Sequence, residues 1–304
     1  MDTRTFIAVL TFQSAFLALL MYFYLRTRKT YPGFKRWAAA TAVLALGYLL
    51  VSLRGRVPDA LSILVANEAY AVAAAMYLAG VAAFLDVACP VWLLGAGPAA
   101  TLAGLSWYYW VTPFPAARGL VVALGMSVPL LPTAWLLVRH ASARHRSLYN
   151  YTALMLVILC AAGLLRSAYW VWFEPAEGVM TASAGHAVYF FVAMAAMLGG
   201  VLGLMMMNGQ RLDDELRASR RALQTTAENL SRALSQVRQL SGLLPICAAC
   251  KKIRDDQGYW HQVESYVQEH TGATFTHGIC PECRAKLYPT LPGNAQGKPE
   301  PKDE

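Results

Sequence analysis

Residues 186–207 read HAVYFFVAMAAMLGGVLGLMMM, 22 residues without Asp, Glu, Lys or Arg. An α-helix needs about 20 mostly apolar residues to cross the hydrocarbon core of a bilayer. The next residues, NGQRLDDELRASRRAL, are strongly polar. The stretch therefore predicts a membrane-spanning helix that ends near Met207 and continues into a segment exposed to water.

The composition of the whole chain agrees with this interpretation. Of the 304 residues, 57% are hydrophobic and 14% are charged, whereas about a quarter of a soluble domain is charged. Residues 1–208 contain 13 basic and 6 acidic residues, and residues 209–304 contain 13 and 12. Almost all of the net charge of +8 thus belongs to the apolar part. We interpret it as membrane topology rather than as affinity for nucleic acid.

Seven apolar runs are long enough to cross a bilayer. They cover residues 6–25, 37–53, 60–85, 91–110, 120–138, 149–173 and 186–207. The predicted fold class is an all-α polytopic membrane protein with seven transmembrane helices. Residues 1–208 would form this membrane sensory domain.

The Lys and Arg residues of the short connections predict the orientation, because cytoplasmic loops are enriched in them. Twelve lie on one side and four, Arg4, Arg54, Arg56 and Arg118, on the other. The side with twelve comprises Arg26, Arg28, Lys29, Lys35, Arg36, Arg139, Arg144, Arg146, Arg211, Arg217, Arg220 and Arg221. We therefore expect a multi-pass protein of the bacterial inner membrane, with its N-terminus outside and its C-terminal part in the cytoplasm.

Two charged residues lie inside predicted spans, where charge is costly. Glu68 and Arg166 fall at a similar depth, about 10 to 12 Å from the outer interface. We hypothesise that they pair, with Asn67 and Gln13 completing the hydrogen bonds of the pair. The alternatives are a structural contact, an Arg166 side chain that extends outward to the interface on its own, and a polar floor beneath an outward-facing ligand pocket. The predicted lining of that pocket comprises Tyr70, Trp107, Tyr169 and His186.

Residues 54–67, RGRVPDALSILVAN, combine a short basic loop, Pro-Asp and an apolar helix that leads into Asn67. This stretch, with the layout of the first 208 residues, resembles the membrane input regions of bacterial diguanylate cyclases and sensor kinases. The resemblance implies a signal-receiving role and supplies no ligand.

After the last run, apolar residues recur with heptad spacing. One position is occupied by Leu216, Leu223, Leu230, Val237 and Leu244, and the position four residues earlier in each repeat by Leu212, Ser219, Thr226, Ala233 and Leu240. This pattern predicts a coiled-coil linker over residues 209–244 and a parallel homodimer through residues 212–244. The alternative is a single amphipathic helix that lies on the membrane or on its own domain.

Four of the six cysteines form two C-x-x-C pairs, Cys247 with Cys250 and Cys280 with Cys283, 29 residues apart. Two such pairs supply the four thiolates of a closed tetrahedral zinc site. A segment this small needs a metal or disulfides to fold, and cytoplasmic thiols stay reduced. We therefore predict structural zinc in a small zinc-ribbon-like α/β module over residues 245–289, with His277 as a possible second-shell or alternative ligand. A redox thiol switch and an iron or His-containing site remain open.

The runs LPICAACKKIRDDQGYWHQVESYV (residues 244–267) and THGICPECRAKLYP (residues 276–289) closely resemble a cysteine-rich segment that ends many bacterial signalling chains. There the segment follows a coiled coil behind PAS or response-regulator receiver domains. The resemblance implies a module that accompanies sensory inputs. Residues 290–304 have the composition of a disordered tail.

No sequence motif of a catalytic site accompanies these features. We therefore expect a membrane sensory adaptor without an enzymatic output, which relays a stimulus through the dimeric coiled coil to the zinc module and an unknown cytoplasmic protein. The first alternative is a redox- or metal-responsive switch that uses the four cysteines. A second alternative is a small-molecule transporter, against which the lack of an internal repeat argues.

Overall fold

The computed structural model describes residues 3–173, 184–241 and 244–289. It divides into two compact units, Met1–Arg220 and Arg221–Glu304. The predicted tail, residues 290–304, lies outside the described residues, as do the side chains of Val237 and Leu240.

The first unit consists of apolar helices joined by short loops. These are α1 (Thr3–Thr27), α2 (Phe34–Ser52), α3 (Ala66–Leu85), α4 (Val91–Ser106), α5 (Pro115–Arg139), α6 (Arg146–Phe173) and the first part of α7 (Ala184–Ser241). A π-helical turn, Leu61–Val65, leads into α3, and a second one, Trp107–Val111, follows α4. Within the described residues, six helices are long and apolar enough to span a membrane. The α4 helix has 16 residues, which is shorter than those six.

The outward-facing side chains of these helices are apolar. On α1, Phe12 is 75% exposed and Phe23 is 64% exposed, and Trp92 of α4 is 70% exposed. A soluble protein seldom exposes such a continuous apolar surface. The hydrocarbon core of a bilayer solvates such an apolar surface, so the chain is a membrane protein.

Helices α2 to α5 pack closely because small residues lie where they meet. A Cβ atom on Gly97 would come within 2.5 Å of the Gly125 carbonyl oxygen, which shows how tightly α4 and α5 approach. Gly33 precedes α2 with a φ of 96°, and a Cβ there would overlap the carbonyl oxygen of Gly80. Both the conformation and the space at Gly33 thus require glycine.

The helices present two ends, which we name by one residue each. At the Arg54 end, the start of α1, the α2–α3 loop and the start of α5 contribute to one cavity. At the Asn208 end, Asn208 of α7 contacts Tyr24 near the end of α1 and Lys29 in the loop that follows it. Helix α7 continues without interruption through the predicted boundary at residue 208 and ends at Ser241.

The second unit contains the end of α7 and the cysteine segment. Strand β1 (Ile253–Arg254) pairs antiparallel with β2 (Trp260–His261), with Ile253 opposite His261. Helices α8 (Val263–Thr271) and α9 (Pro281–Leu287) follow. Ile253 is the one buried apolar side chain among residues 244–289, so this segment has almost no core of its own.

Candidate functional site

A cavity of about 360 Å³ lies at the Arg54 end of the first unit. Its volume is in the usual range for small-molecule sites. Residues of α1, α2, α3, α5, α6 and α7 line it, and three of its lining residues are arginines: Arg54, Arg118 and Arg166. No Asp or Glu is among its lining residues. The cavity is therefore positively charged at its polar end.

Each arginine is held by contacts that leave part of its guanidinium available. Nη2 of Arg54 donates to the Ser62 carbonyl at 3.0 Å, and Nε of Arg118 donates to the Tyr108 carbonyl at 3.0 Å. The Arg166 guanidinium carbon lies 4.5 Å from the centroid of the Tyr189 ring and 4.8 Å from that of Trp170. These contacts fix the side chains without neutralising them.

Two of these guanidinium groups contain a buried nitrogen that lacks a partner. The Nε atoms of Arg54 and Arg166 make no hydrogen bond within the described residues. None of the three arginines forms an ion pair with a carboxylate in the part of the chain that the structure describes. Burial lowers the pKa of Arg54; nearby Tyr70 and Asp59 raise it, and the charge of Arg118 lowers it. An unpaired buried donor costs free energy that an acceptor in the cavity would recover.

The π-helical turn Leu61–Val65 shapes the wall of the cavity next to Arg54. In a π-turn the N–H of each residue bonds five residues back, so backbone carbonyls are redirected. The Ser62 carbonyl accepts from Arg54, and the Ile63 carbonyl accepts from Nδ2 of Asn67 at 2.6 Å. The turn therefore orients two polar side chains that line the cavity.

The predicted ion pair between Glu68 and Arg166 is not formed. The described residues contain no salt bridge between them, and Oε2 of Glu68 is buried without a hydrogen-bond donor. Helix α5 packs against both α3 and α6, the helices that carry the two residues. Equal depth along two helices does not bring their side chains together when a third helix packs against both. Aromatic rings contact Arg166 instead.

The other predicted pocket residues have separate positions. Asn67 and Tyr70 line the cavity with Arg166, as the pocket hypothesis requires. Gln13 does not line it, and its Nε2 donates to the Met194 carbonyl at 2.8 Å, which joins α1 to α7. The lining of a neighbouring hollow between α6 and α7 includes Tyr169, Trp170 and His186 together with Arg166. Trp107, in the second π-helical turn, is 55% exposed and lines neither.

Sequence reasoning assigned Arg54 and Arg118 only to loop charge and missed their place in the cavity. One signal was present in the sequence. Both residues belong to the predicted side that contains only four basic residues, and Arg166 was predicted near the same side. Three arginines near one end of a bundle indicate a common charged region.

A polar cluster surrounds α7 at the Asn208 end, and we name it the α7 collar. On α7 it comprises Asn208, Arg211, Asp214 and Glu215, and around them Lys29, Tyr31, Phe84, Arg144 and His145. Nη1 of Arg211 donates to the Phe84 carbonyl at 2.6 Å. Asp214 pairs with Arg144 at 3.1 Å and with His145 at 3.2 Å. Three loops or helix ends thus contact two successive turns of α7.

The collar also includes Glu215, which pairs with Lys29 and accepts a hydrogen bond from the Tyr31 hydroxyl. Desolvation and this hydrogen bond raise the pKa of Tyr31 to about 12. The ring of Tyr31 also lies beneath the Arg211 guanidinium, 4.8 Å from its centroid. The α1–α2 loop is therefore attached to α7 by charge, hydrogen bonding and ring contact together.

The two cysteine pairs lie in different local structures, the first in a turn and the second at the start of α9. The N–H of Cys283 approaches Sγ of Cys280 at 3.4 Å. At the first pair, Cys247 donates its N–H to the Lys252 carbonyl, and Lys251 has a left-handed φ of 60°. The N–H groups of Cys250 and Ala249 lower the pKa of the Cys247 thiol, and that of Cys283 lowers the pKa of Cys280. Each pair thus favours a thiolate on its first cysteine.

The described residues contain no group of three or more His, Cys, Asp or Glu side chains close enough to hold a metal ion. All four cysteines of the module are free thiols, and Cys250, Cys280 and Cys283 are exposed. His277 is exposed as well. Zinc at these cysteines therefore stays a prediction.

Comparison of the chain with protein-family models, with curated proteins and with solved structures finds no match. The functional argument consequently depends on the cavity, the α7 collar and the cysteine pairs.

Proposed function

We propose that this chain is a sensory adaptor of the bacterial inner membrane, without a catalytic output of its own. A ligand binds in the cavity at the Arg54 end, and the altered packing of the bundle is transmitted through α7. The cytoplasmic zinc module then presents the signal to a cytoplasmic signalling protein. This proposal includes a parallel homodimer through residues 212–244.

The observation that carries the proposal is the continuity of α7. Tyr189 and Phe190, near the start of α7, line the cavity, and Asn208 and Arg211 lie in the collar. The same helix continues to Ser241 without a break. A continuous helix that contacts a ligand cavity is a direct means of transmitting a small displacement along the chain.

The proposed topology has seven crossings. The α4 helix and the π-helical turn after it cover 91–111, which is 21 residues and sufficient to cross hydrocarbon. The Tyr108 carbonyl in this turn accepts a hydrogen bond from Arg118 at the Arg54 end. Only five residues separate the end of α3 from the start of α4. Seven crossings place the twelve basic residues inside, with the N-terminus outside.

The exposed leucines of α7 support the dimer. Leu216, Leu223 and Leu230 recur every seven residues, and each is at least half exposed in the single chain. A helix in water buries such a row against a partner, and a second copy presents the identical row. A homodimer buries this row of leucines with no other protein.

The cysteine segment fits a structural zinc ion. Each pair already directs backbone N–H groups at its first sulfur, and these groups stabilise a thiolate whether or not a metal is bound. Residues 244–289 bury a single large apolar side chain, Ile253, so they lack the core that would hold them folded alone. Zinc bound by Cys247, Cys250, Cys280 and Cys283 would supply the missing stabilisation.

Photo-cross-linking in intact membranes tests the signalling proposal. p-Benzoylphenylalanine is introduced singly at each position from 212 to 235, which leaves all native cysteines in place. We expect dimers at positions that recur with a seven-residue period, and a changed pattern when the collar is broken by Asn208→Ala. Cross-links without this period, or a pattern unaffected by Asn208→Ala, would contradict the relay through α7.

A redox switch is the second candidate, because three of the four module cysteines are exposed. In that case the pairs oxidise to disulfides and the membrane unit responds. Tightly bound stoichiometric zinc with thiols that resist alkylation favours the structural module, and reversible oxidation of the metal-free thiols favours the switch.

A further inference from the structure

The lining of the cavity is divided between a charged end and an apolar end. Arg54, Arg118 and Arg166 lie at the charged end, and Met126, Leu130 and Leu159 are among the apolar lining residues. Leu159 precedes Arg166 by seven residues on α6, which is about 10 Å along a helix axis. A ligand that fills this space needs an anionic group and an apolar body about as long as that distance.

A second, smaller cavity of about 50 Å³ extends the apolar end. It shares Tyr48, Tyr70, Met126, Leu130 and Leu159 with the first cavity, so the two adjoin. Its other lining residues are almost all aliphatic or aromatic, with Thr133 as the exception. The space therefore becomes narrower and more apolar away from the arginines, which matches a hydrocarbon chain better than a compact polar solute.

The charged end excludes other classes of ligand. A cation would be repelled by three guanidinium groups, and a divalent metal would find no carboxylate on the cavity wall. An uncharged amphiphile would offer an acceptor oxygen to Arg54 and Arg166 but no negative charge to balance three guanidinium groups. Guanidinium groups bind carboxylate and phosphate oxygens through charge-assisted hydrogen bonds, which satisfies these donors directly.

We infer that the cavity binds an anionic amphiphile, with its acidic head between Arg54, Arg118 and Arg166 and its hydrocarbon chain along α5 and α6. This inference names the ligand class of the cavity in the proposed function and depends on that function only for the consequence of binding. The head-group chemistry is shared by a free fatty carboxylate and by an anionic membrane lipid. The binding experiment distinguishes these two sources.

Radiolabelled decanoate is the probe, bound to the full-length chain in phosphatidylcholine nanodiscs, with binding to empty discs subtracted. We expect saturable binding that unlabelled decanoate displaces and that decanol and decyltrimethylammonium do not. Loss of decanoate binding in discs containing phosphatidylglycerol assigns the site to an anionic lipid, and retained binding assigns it to a free carboxylate. These measurements need no variant, so impaired folding does not affect them.

Arg54→Gln and Arg166→Gln test the head-group contacts, and Arg56→Gln is the matched control. Arg56 is an exposed residue of the α2–α3 loop and does not line the cavity. We expect each cavity variant to weaken decanoate binding by about tenfold or more, since a charge-assisted hydrogen bond is lost. The Arg56→Gln variant should bind as the unchanged chain does.

Three results would overturn the inference: no saturable decanoate site in either kind of disc, displacement by decanol as effective as by decanoate, or cavity variants that bind like Arg56→Gln. The signalling proposal fails separately. If decanoate binds but leaves cross-linking at residues 212–235 unchanged, the ligand class stands and the relay is wrong.

Discussion

The side-chain oxygen of Asn208 on α7 accepts a hydrogen bond from the backbone N–H of Tyr31 at 3.0 Å. Its amide nitrogen donates to the Lys29 carbonyl at 3.2 Å and to the Tyr24 hydroxyl at 3.3 Å. Asn208 is fully buried, so water does not replace these partners. One side chain thus joins α7 to the end of α1 and the loop that follows it.

Asn208→Ala should destabilise the membrane unit by about 1 to 3 kcal/mol, because it removes the three hydrogen bonds that the fully buried Asn208 side chain makes. The measurement is the free energy of unfolding of the full chain in mild detergent. Asn229→Ala is the control, since Asn229 is exposed on the same helix. Equal stability of the two variants would show that the collar does not hold α7.

Leu230→Asp should dissociate the dimer, and Leu234→Asp should leave it largely intact. The two leucines are 60% and 57% exposed in the single chain, so they differ little except in heptad position. Leu230 occupies the predicted seam, where a carboxylate would be buried at a high cost in free energy. Mass measured by light scattering in detergent distinguishes monomer from dimer. If both variants behave alike, the seam is misassigned.

Elemental analysis of the purified chain should find about one zinc ion per chain. Cys247→Ser and Cys283→Ser each remove a ligand and should lower the zinc content sharply, since three thiolates hold zinc less tightly than four. Cys89→Ser and Cys160→Ser are controls outside the module. Full zinc occupancy in Cys283→Ser would point to His277 as a ligand in place of one thiolate.

The Asp255 carboxylate should titrate below its ordinary range. Desolvation opposes ionisation, but hydrogen bonds from His261 and from the N–H groups of Tyr259 and Gln257 lower the pKa of Asp255. Because the folded pKa is the lower one, this contact stabilises the hairpin above the ordinary Asp value of 3.8, and the stabilisation is lost as the pH falls through the folded pKa. The amide signal of Tyr259 in a chain labelled with ¹⁵N-tyrosine reports the titration.

Two neighbouring aspartates provide the control for this titration. Asp255→Asn should abolish the pH-dependent shift of the Tyr259 amide, and Asp256→Asn should preserve it. A shift that survives Asp255→Asn would assign the titration to a different group.

Gly163→Phe should block the cavity without disturbing the backbone of α6. Gly163 lines the cavity, and a Cβ atom there would lie 3.7 Å from that of Ala123, an ordinary contact. We expect Gly163→Phe to abolish decanoate binding and Gly163→Ala, the control, to retain it. Binding in Gly163→Phe equal to that in Gly163→Ala would place the ligand elsewhere.

Apolar run length predicts the helices of the membrane unit well, because lipid imposes one simple requirement on every span. The run predicted over residues 120–138 appears as Pro115–Arg139, and the run over residues 37–53 as Phe34–Ser52. The run predicted over residues 60–85 contains a π-helical turn that was not predicted, because hydropathy carries no information about the local hydrogen-bond register.

The candidate site was predictable only in part. Asn67, Tyr70 and Arg166 were expected to share one pocket, and they do. The predicted pairing of Arg166 with Glu68 was wrong, because the depth of a residue along its helix axis does not determine the direction around that axis in which its side chain faces. The contribution of Arg54 and Arg118 depends on which helices are neighbours, and a single sequence does not specify that. The α7 collar was missed for the same reason.

The π-helical turn Leu61–Val65 has a further consequence for evolution and engineering of this chain. A π-helical turn accommodates one more residue than an α-helical turn, so the residues after it lie about 100° from where the same sequence in an unbroken α-helix would place them. If the same residues formed a regular α-helix, Asn67 and Tyr70 would turn away from the arginine on the preceding loop, whereas deletion of one residue would remove the π-turn and leave their direction unchanged. Which side chains line the cavity thus depends on the backbone register at this turn as well as on the residue types.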